Sequence, residues 1–439
     1  MFFHLIFINI RHIYIYSLKK IHIMNNKIQP RLLYADSKGN IYDDPDLLMV
    51  CRRGEEFALP KPNELTPLPA ESNIFFLPNR YALGLDPKTG RLVVTDKLAV
   101  AAFICPGYTL TGICAYKKQQ NSSPLPLFAY GAVGYFNGKF YVCAKKVDKD
   151  KRQVFLNIPK KKIEIGAKNL LKKYPDNRLI SHLTKCALTY CCPAARNFAL
   201  GRFEAPLPIS MECNARCIGC ISKQPKESKI PATQDRITFT PTPSEICEVM
   251  EEHASKEKRP IFSFGQGCEG EPLTHWKTIE QAITLYRKKN GKGTININTN
   301  GSITHSIPHL KEAGLSSIRV SLNSANKVLY QKYYRPKGYE FDDVKATIKL
   351  AKSLGLFVSI NLLYFPGVTD TESELTYLLD LIEDTKLDLI QLRNLNIDPD
   401  IYLSIQDNLS PSMGFLNFKK RLKKNFPWIK FGYFNPYLG

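Results

Sequence analysis

From Arg31 to about Ile158 the apolar residues come in short runs broken by Gly, Pro, Asn and Asp: NIFFLP, RLVVTD, LAVAAFICPGYTLTGICAY, LFAYGAVGYFNGKFYVCAKKV and QVFLNI. Runs of this length, rich in β-branched and aromatic residues, predict strands, so this half is read as predominantly antiparallel β. The FNGKFYV segment predicts a hairpin, because Asn-Gly accepts the positive φ angles of a two-residue turn between pleated strands. Between Glu164 and Ala205 the pattern turns helical and connecting, through KNLLKKY and HLTKCALTYCC, until Pro206 and Pro208 interrupt it.

After Pro206 short apolar runs alternate with helix-length amphipathic segments, the pattern of βα units and a parallel sheet. Strands are predicted at Leu207–Met211, Ile261–Gly265, Thr294–Asn298, Ser317–Leu322, Phe357–Tyr364 and Leu389–Leu392. A helix is expected after Ser244, taken as the N-cap, and others at His275–Lys289, Ile307–Ala313, Phe341–Leu354 and Glu372–Asp384. Six such units predict an α/β fold, a partial (β/α)6 TIM-like barrel with a β-rich N-terminal domain. Its chemistry is expected on loops at the carboxyl ends of the strands. The linear organisation is then residues 1–23 as a leader or non-native start, 24–160 as the β-rich domain, 161–205 as a helical connector, 206–397 as the barrel and 398–439 as an extension.

Composition narrows the class. The 439 residues are 44% apolar and 23% charged, enough for two or three globular domains. The formal charge of +21 favours anionic partners such as nucleic acid, acidic protein or phosphorylated ligands. The basic runs at Lys160–Lys162 and Lys419–Lys424 nevertheless read as solvated faces. Twelve unevenly spaced cysteines make a disulfide scaffold a poor fit and a reduced, cytoplasmic location the better one. Residues 1–23 hold an apolar run whose positive charges follow it, with no small-residue cleavage site. That is neither a signal peptide nor a span, so translation from Met24 and no membrane association are expected.

The chemistry concentrates after the first predicted barrel strand, in Cys213-Asn-Ala-Arg-Cys217-Ile-Gly-Cys220. A C-x3-C-x2-C loop brings three thiolates into a small space, and thiolates are the usual ligands of iron-sulfur clusters. Three ligands leave one iron of a four-iron cluster open. A ferredoxin run would continue to a fourth Cys before Pro, and a zinc knuckle would need a second C-x2-C pair; neither is present. After the second strand comes Gly267-Cys268-Glu269-Gly270-Glu271-Pro272, after the third Asn298-Thr299-Asn300-Gly301, and after the fourth Ser321 and Asn323. Glycine admits close backbone approach to a ligand, and a carboxylate suits an ammonium donor.

These motifs, over roughly Pro206 to Ile397, resemble the radical S-adenosylmethionine (radical SAM) superfamily. The resemblance implies a [4Fe-4S] cluster on Cys213, Cys217 and Cys220, chelation of its open iron by S-adenosylmethionine, and reductive cleavage to a 5′-deoxyadenosyl radical that abstracts hydrogen. It also implies cofactor contacts from Gly270, Glu271, Pro272, Asn298, Thr299, Asn300, Ser321, Asn323 and Asn361, and an electron donor such as flavodoxin or ferredoxin. Glu269 stands where the family more often has its first glycine, which leaves open whether it shares the amino-group contact with Glu271. Asn361 and Pro366-Gly367 are expected along the adenine side. Gly219 replaces the aromatic residue that often precedes the third cysteine, so stacking on adenine must come from elsewhere. Arg319 and Arg393 point either into the barrel or onto a solvated rim.

Cys268 is the last cysteine, expected near the cluster mouth without a ligand role, and no further cluster is expected after the barrel. Upstream, H-x3-C-x4-C-C places His182, Cys186, Cys191 and Cys192 close together in sequence. Adjacent Cys191 and Cys192 diverge on any regular element, so these read as structural thiols. The substrate class stays open among RNA, protein and metabolite. Alternatives are a glycyl-radical-enzyme activase and a non-catalytic iron-sulfur electron carrier, which would have no use for a cofactor pocket built from successive strand ends.

Overall fold

The computed structural model describes residues 28–439, so the leader and the start at Met24 lie outside the described residues. Two compact units result. The first takes in the chain up to Asp148 together with Leu363–Thr376 and Leu392–Pro427; the second is Lys149–Leu362, Tyr377–Gln391 and Trp428–Gly439. Both are discontinuous, which linear boundaries at 160, 205 and 397 do not express.

The first unit carries a twelve-stranded sheet, antiparallel in its described pairings, whose longest strands are Asn73–Asp86 and Arg91–Phe103. The Asn-Gly hairpin forms as expected: Asn137 and Gly138 take φ of 46° and 79°, with Phe136 paired to Lys139. Leu32, Phe75, Leu77, Tyr116 and Tyr130 form its core. QVFLNI forms turns instead of the expected strand; Arg202 donates to the Arg152 and Val154 carbonyls around it, which takes those groups out of any ladder. Within this unit the buried Arg80 guanidinium donates to the Pro78 and Ser123 carbonyls and pairs with Asp398 at 3.3 Å. The run from Lys419 lies on helix Phe415–Asn425, which buries Phe415, Phe418 and Leu422 and leaves Lys420, Lys423 and Lys424 exposed, as a solvated face requires.

The second unit is the partial barrel. Its seven-stranded sheet runs Glu204–Leu207, Ile261–Phe264, Thr294–Thr299, Ser317–Leu322, Phe357–Tyr364, Leu389–Asn394 and Lys430–Gly432 in that order. The first strand lies three residues earlier than expected, because Ile209 and Ser210 give their N–H groups to a side chain, Glu269, instead of a ladder. Lys430–Gly432 adds a seventh strand, parallel to the sixth, too short to show periodicity in sequence. The helix expected after Ser244 instead starts at Pro243, with Thr242 as N-cap: Thr242 and Glu245 exchange bonds in a capping box, and Pro at the first position needs no donor. Helix Lys327–Tyr334, with three of its eight residues Tyr, had no matching expectation.

Inside the barrel, alternation along the strands turns Glu204, Ser263, Asn296, Ser317 and Gln391 onto one face and Ile and Phe onto the other. These polar groups satisfy one another: Asn435 donates to Glu204 and Ser263, Gln391 donates to Asn435, and Arg319 donates to Gln391 at 2.8 Å. Arg319 therefore points inward and not onto a rim.

Three helices, Lys160–Lys173, Arg178–Leu188 and Pro193–Leu200, precede the barrel. Arg178 forks onto Glu245 through Nε and Nη2, both at 2.8 Å. That pair, with the Thr242 and Arg178 backbone N–H groups, pulls the Glu245 carboxyl down from 4.5 to about 2. A depressed folded pKa stabilises the fold above the unfolded value, and the contribution is lost as pH falls from 4.5 towards 2. Glu245→Gln is expected to flatten this acid limb when melting temperature is followed against pH, while lowering stability near neutrality.

Candidate active site

The three cysteines lie on the loop that leaves the first barrel strand. Hydrogen bonds shape this loop on several sides: the Arg216 and Ile218 N–H groups donate to the Tyr334 and Tyr333 carbonyls, Lys337 N donates to Asn214 O, and the Gln224 side-chain Nε2 donates to the Ile218 and Cys220 carbonyls. All three cysteines are partly buried. They are close enough to feel one another's charge: burial first, then Cys220 and Cys213, hold the Cys217 thiol well above its usual range. Burial and then Glu271 push Cys213 to about 11. Loading such thiols with metal releases their protons, so assembly draws on the metal–thiolate bond to offset this cost.

The turn after the second strand packs directly on the cysteine loop. Gly270 N donates to Ser210 O and Glu271 N to Glu212 O, both at 2.7 Å. A Cβ at Gly270 would fall 1.8 Å from Glu212 O, a backbone atom, so only glycine fits there. Gly270→Ala is expected to displace the cysteine loop and lose most of the iron taken up on reconstitution, measured as iron per folded chain.

Glu271 is 3% exposed. One carboxylate oxygen accepts from Thr299 Oγ1 and from Leu273 N, the other from Asn300 N at 2.7 Å. Despite these donors, burial raises its carboxyl to about 7. Among the described residues no Lys, Arg or His pairs with it, so it is a buried acid facing the thiols without a counter-cation. Glu269 differs. Its carboxylate is taken up by Ile209 N, Ser210 N and Gln266 N at 2.9, 3.1 and 2.6 Å, which ties the two strand exits together and answers why an acid replaces glycine.

Thr299 and Asn300 join the site, Asn300 by donating to Asn214 Oδ1 at 2.8 Å. Pro272 opens the short helical turn that follows, with Glu271 as its cap. Asn298 turns away into the barrel, donating to Gly265 O and accepting from Asn296. Asn323 is buried past the strand end, its amide 3.4 Å from Leu329 O. Ser321 and Asn361 stand side by side on neighbouring strands, and the buried Asn361 Oδ1 has no partner. The Pro366-Gly367 turn is not an open wall: in the first unit, Gly54 N donates to Pro366 O at 3.0 Å, and a Cβ at Gly367 would fall 1.9 Å from Gly54 N.

Two residues escaped the sequence reading. Arg236 donates to Ser222 Oγ and Met211 O and stands 3.5 Å from Cys220 Sγ, a cation beside the thiols. Tyr333 places its hydroxyl 2.5 Å from where a Gly219 Cβ would lie, so an aromatic ring from helix Lys327–Tyr334 stands beside the residue before the third cysteine and would have to shift for a side chain there. Cys268 corrects the expectation of a bystander at the cluster mouth, for it lies against His182 and Cys186. Those two were read as failing to converge with Cys191 and Cys192. Cys191 is indeed exposed, and the convergence runs through Cys268 instead.

The family model that matches this sequence is that of the radical SAM superfamily, over residues 207–379. Residues 207–379 are a radical SAM superfamily domain. Members of that superfamily are enzymes that use a [4Fe-4S] cluster and S-adenosylmethionine. The residues fit both groups, three clustered thiols for the iron and an uncompensated buried carboxylate for an ammonium. Curated relatives include the mitochondrial GTP 3′,8-cyclase of Arabidopsis thaliana, 27% identical over 239 residues, 52% of this chain and 55% of that protein. The GTP 3′,8-cyclase of Aquifex aeolicus is 30% identical over 38% of this chain and 49% of its own. Molybdenum cofactor biosynthesis protein 1 of Bos taurus is 31% identical over 44% and 28%. The chain spans about half the length of the cyclases it matches. Among the described residues no helix is long and apolar enough to cross a membrane.

Proposed function

We propose that this radical SAM enzyme holds its cluster on Cys213, Cys217 and Cys220 and abstracts hydrogen from a substrate bound over the barrel. The observation that carries the reading is the pairing of three mutually interacting thiols with Glu271, a buried carboxylate that has hydrogen-bond donors but no cation. The bound cluster supplies one electron to split the sulfonium of S-adenosylmethionine. Around it the chain does the positioning. Glu271 accepts the cofactor's ammonium, and Thr299 and the Asn300 N–H fix the carboxylate that does so. Asn300 and Asn214 lock the cysteine loop to the third strand. Asn361 Oδ1 offers a buried acceptor to a hydroxyl or amino group of the cofactor, with Ser321 beside it. Arg236 places positive charge against the Cys220 sulfur, which favours the more negatively charged, reduced state.

The electron comes from a small redox protein such as flavodoxin or ferredoxin. All twelve cysteines are free, which supports a reducing, cytoplasmic location. The named reaction of the cyclase relatives is one candidate among RNA, protein and metabolite substrates, since the likeness covers about half of those proteins.

Anaerobically reconstituted, dithionite-reduced protein should form 5′-deoxyadenosine from S-adenosylmethionine, followed by chromatography. Failure to form any, with the cluster loaded and candidate substrates present, would return the chain to the electron-carrier reading.

A further inference from the structure

The connector helix Arg178–Leu188 carries His182 and Cys186 four residues apart, stacked on one face. Against that face lies Cys268, from the turn between the second barrel strand and Glu271. His182 Nε2 is 3.4 Å from Cys268 Sγ and 3.5 Å from Cys186 Sγ, and the three atoms lie within 4.8 Å of one another. Cys186 and Cys268 are buried. Cys192 packs on the same group, within electrostatic reach of both thiols, with its N–H on the Cys186 carbonyl at 3.1 Å.

One neutral imidazole nitrogen has a single N–H or a single lone pair, so two thiols would have to share it. Two sulfurs at equal distance from one nitrogen is instead the spacing of ligands around a single ion. With metal–N of about 2.0–2.1 Å and metal–S of about 2.3 Å, a tetrahedral ion sets N and S about 3.5 Å apart. A cubane puts each thiolate on a different iron and spreads them further. Thiolate and imidazole together, with Cys186 and Cys268 buried and His182 partly so, select Zn²⁺.

We propose that His182, Cys186 and Cys268, with Cys192 as fourth ligand, form a structural Zn²⁺ site distinct from the cluster loop. Its effect on the enzyme follows from Cys268, which shares a turn with Glu269 and Glu271. Fixing Cys268 to the connector helix fixes the segment whose Glu269 grips Ile209 and Ser210 and whose Glu271 faces the thiols. The site is a positioning device and takes no part in electron transfer.

The test separates this site from the cluster. Full-length protein with Cys213, Cys217 and Cys220 all changed to Ala cannot carry the cluster, so metal it retains belongs elsewhere. That protein is expected to hold about one zinc per chain by elemental analysis, and after Co²⁺ replacement to show thiolate-to-cobalt charge-transfer and tetrahedral ligand-field bands. Adding His182→Ala or Cys268→Ala should remove both metal and bands, while the exposed Cys191→Ala keeps them. Should those variants fail to fold, the Co²⁺ spectrum of the triple variant decides alone. No stoichiometric zinc and no thiolate–cobalt bands in it, or metal that persists after loss of His182 or Cys268, would overturn the proposal and leave packed thiols. The cluster reading is judged by iron and 5′-deoxyadenosine in the native protein, so the two fail separately.

Discussion

Changing Cys213, Cys217 or Cys220 singly to Ala is expected to abolish both the visible absorbance of the reconstituted cluster and 5′-deoxyadenosine formation. In the proposed ligation each thiolate would hold a different iron and the fourth would stay open for S-adenosylmethionine, so the loop has no spare cysteine. Cys268 cannot substitute, because it lies against His182 and Cys186 on the other side of its turn. Assembly couples to ligand count, so the loss should be nearly complete and not graded. Iron should fall from about four per chain to background while the melting temperature stays within a few degrees, since the loop is held by backbone bonds to Tyr333, Tyr334 and Lys337 that the thiols do not make. Retention of near-full iron in any one variant would remove that cysteine from the ligand set.

Glu271→Ala should give the opposite pattern, with the cluster kept and cofactor binding weakened. Removing a charge-assisted contact to an ammonium costs roughly 1.5–3 kcal/mol, or about 10- to 150-fold in affinity. The change also strips acceptors from Thr299, Leu273 N and Asn300 N, so part of any effect could be structural. Glu271→Gln separates the two. It keeps the volume and one acceptor oxygen but not the charge, so it should fold like the native chain and still bind S-adenosylmethionine at least tenfold more weakly. Equal affinity in Glu271→Gln and the native protein, read by titration of the reconstituted enzyme, would sink the ammonium assignment.

How much of this was legible beforehand depends on how local the signal is. The C-x3-C-x2-C loop and the Asn-Gly hairpin are short contiguous patterns whose geometry needs few other parts of the chain, whereas the helix start near Pro243 is legible only with its cap two residues late, at Ser244 instead of Thr242. The βα alternation after Pro206 reports the period of each element, and four of the six expected strands begin at the expected residue and end at it or within one residue of it. The seventh strand, three residues long, is below the length at which period can be read.

What the tertiary structure alone decided are juxtapositions across long sequence separations. Nothing near Cys220 announces Arg236, sixteen residues away, and nothing near Gly219 announces Tyr333. Glu269 and Glu271 look alike in sequence; only the fold shows one occupied by the first strand's exit and the other facing the thiols without a cation. Cys268 is eighty-six residues from His182, so the spacing of H-x3-C-x4-C-C could not reveal its third partner. The physical reason is the same in each case: a side chain's chemistry is set by what is packed against it, and packing is decided by which strand exits and helices the sheet order brings side by side.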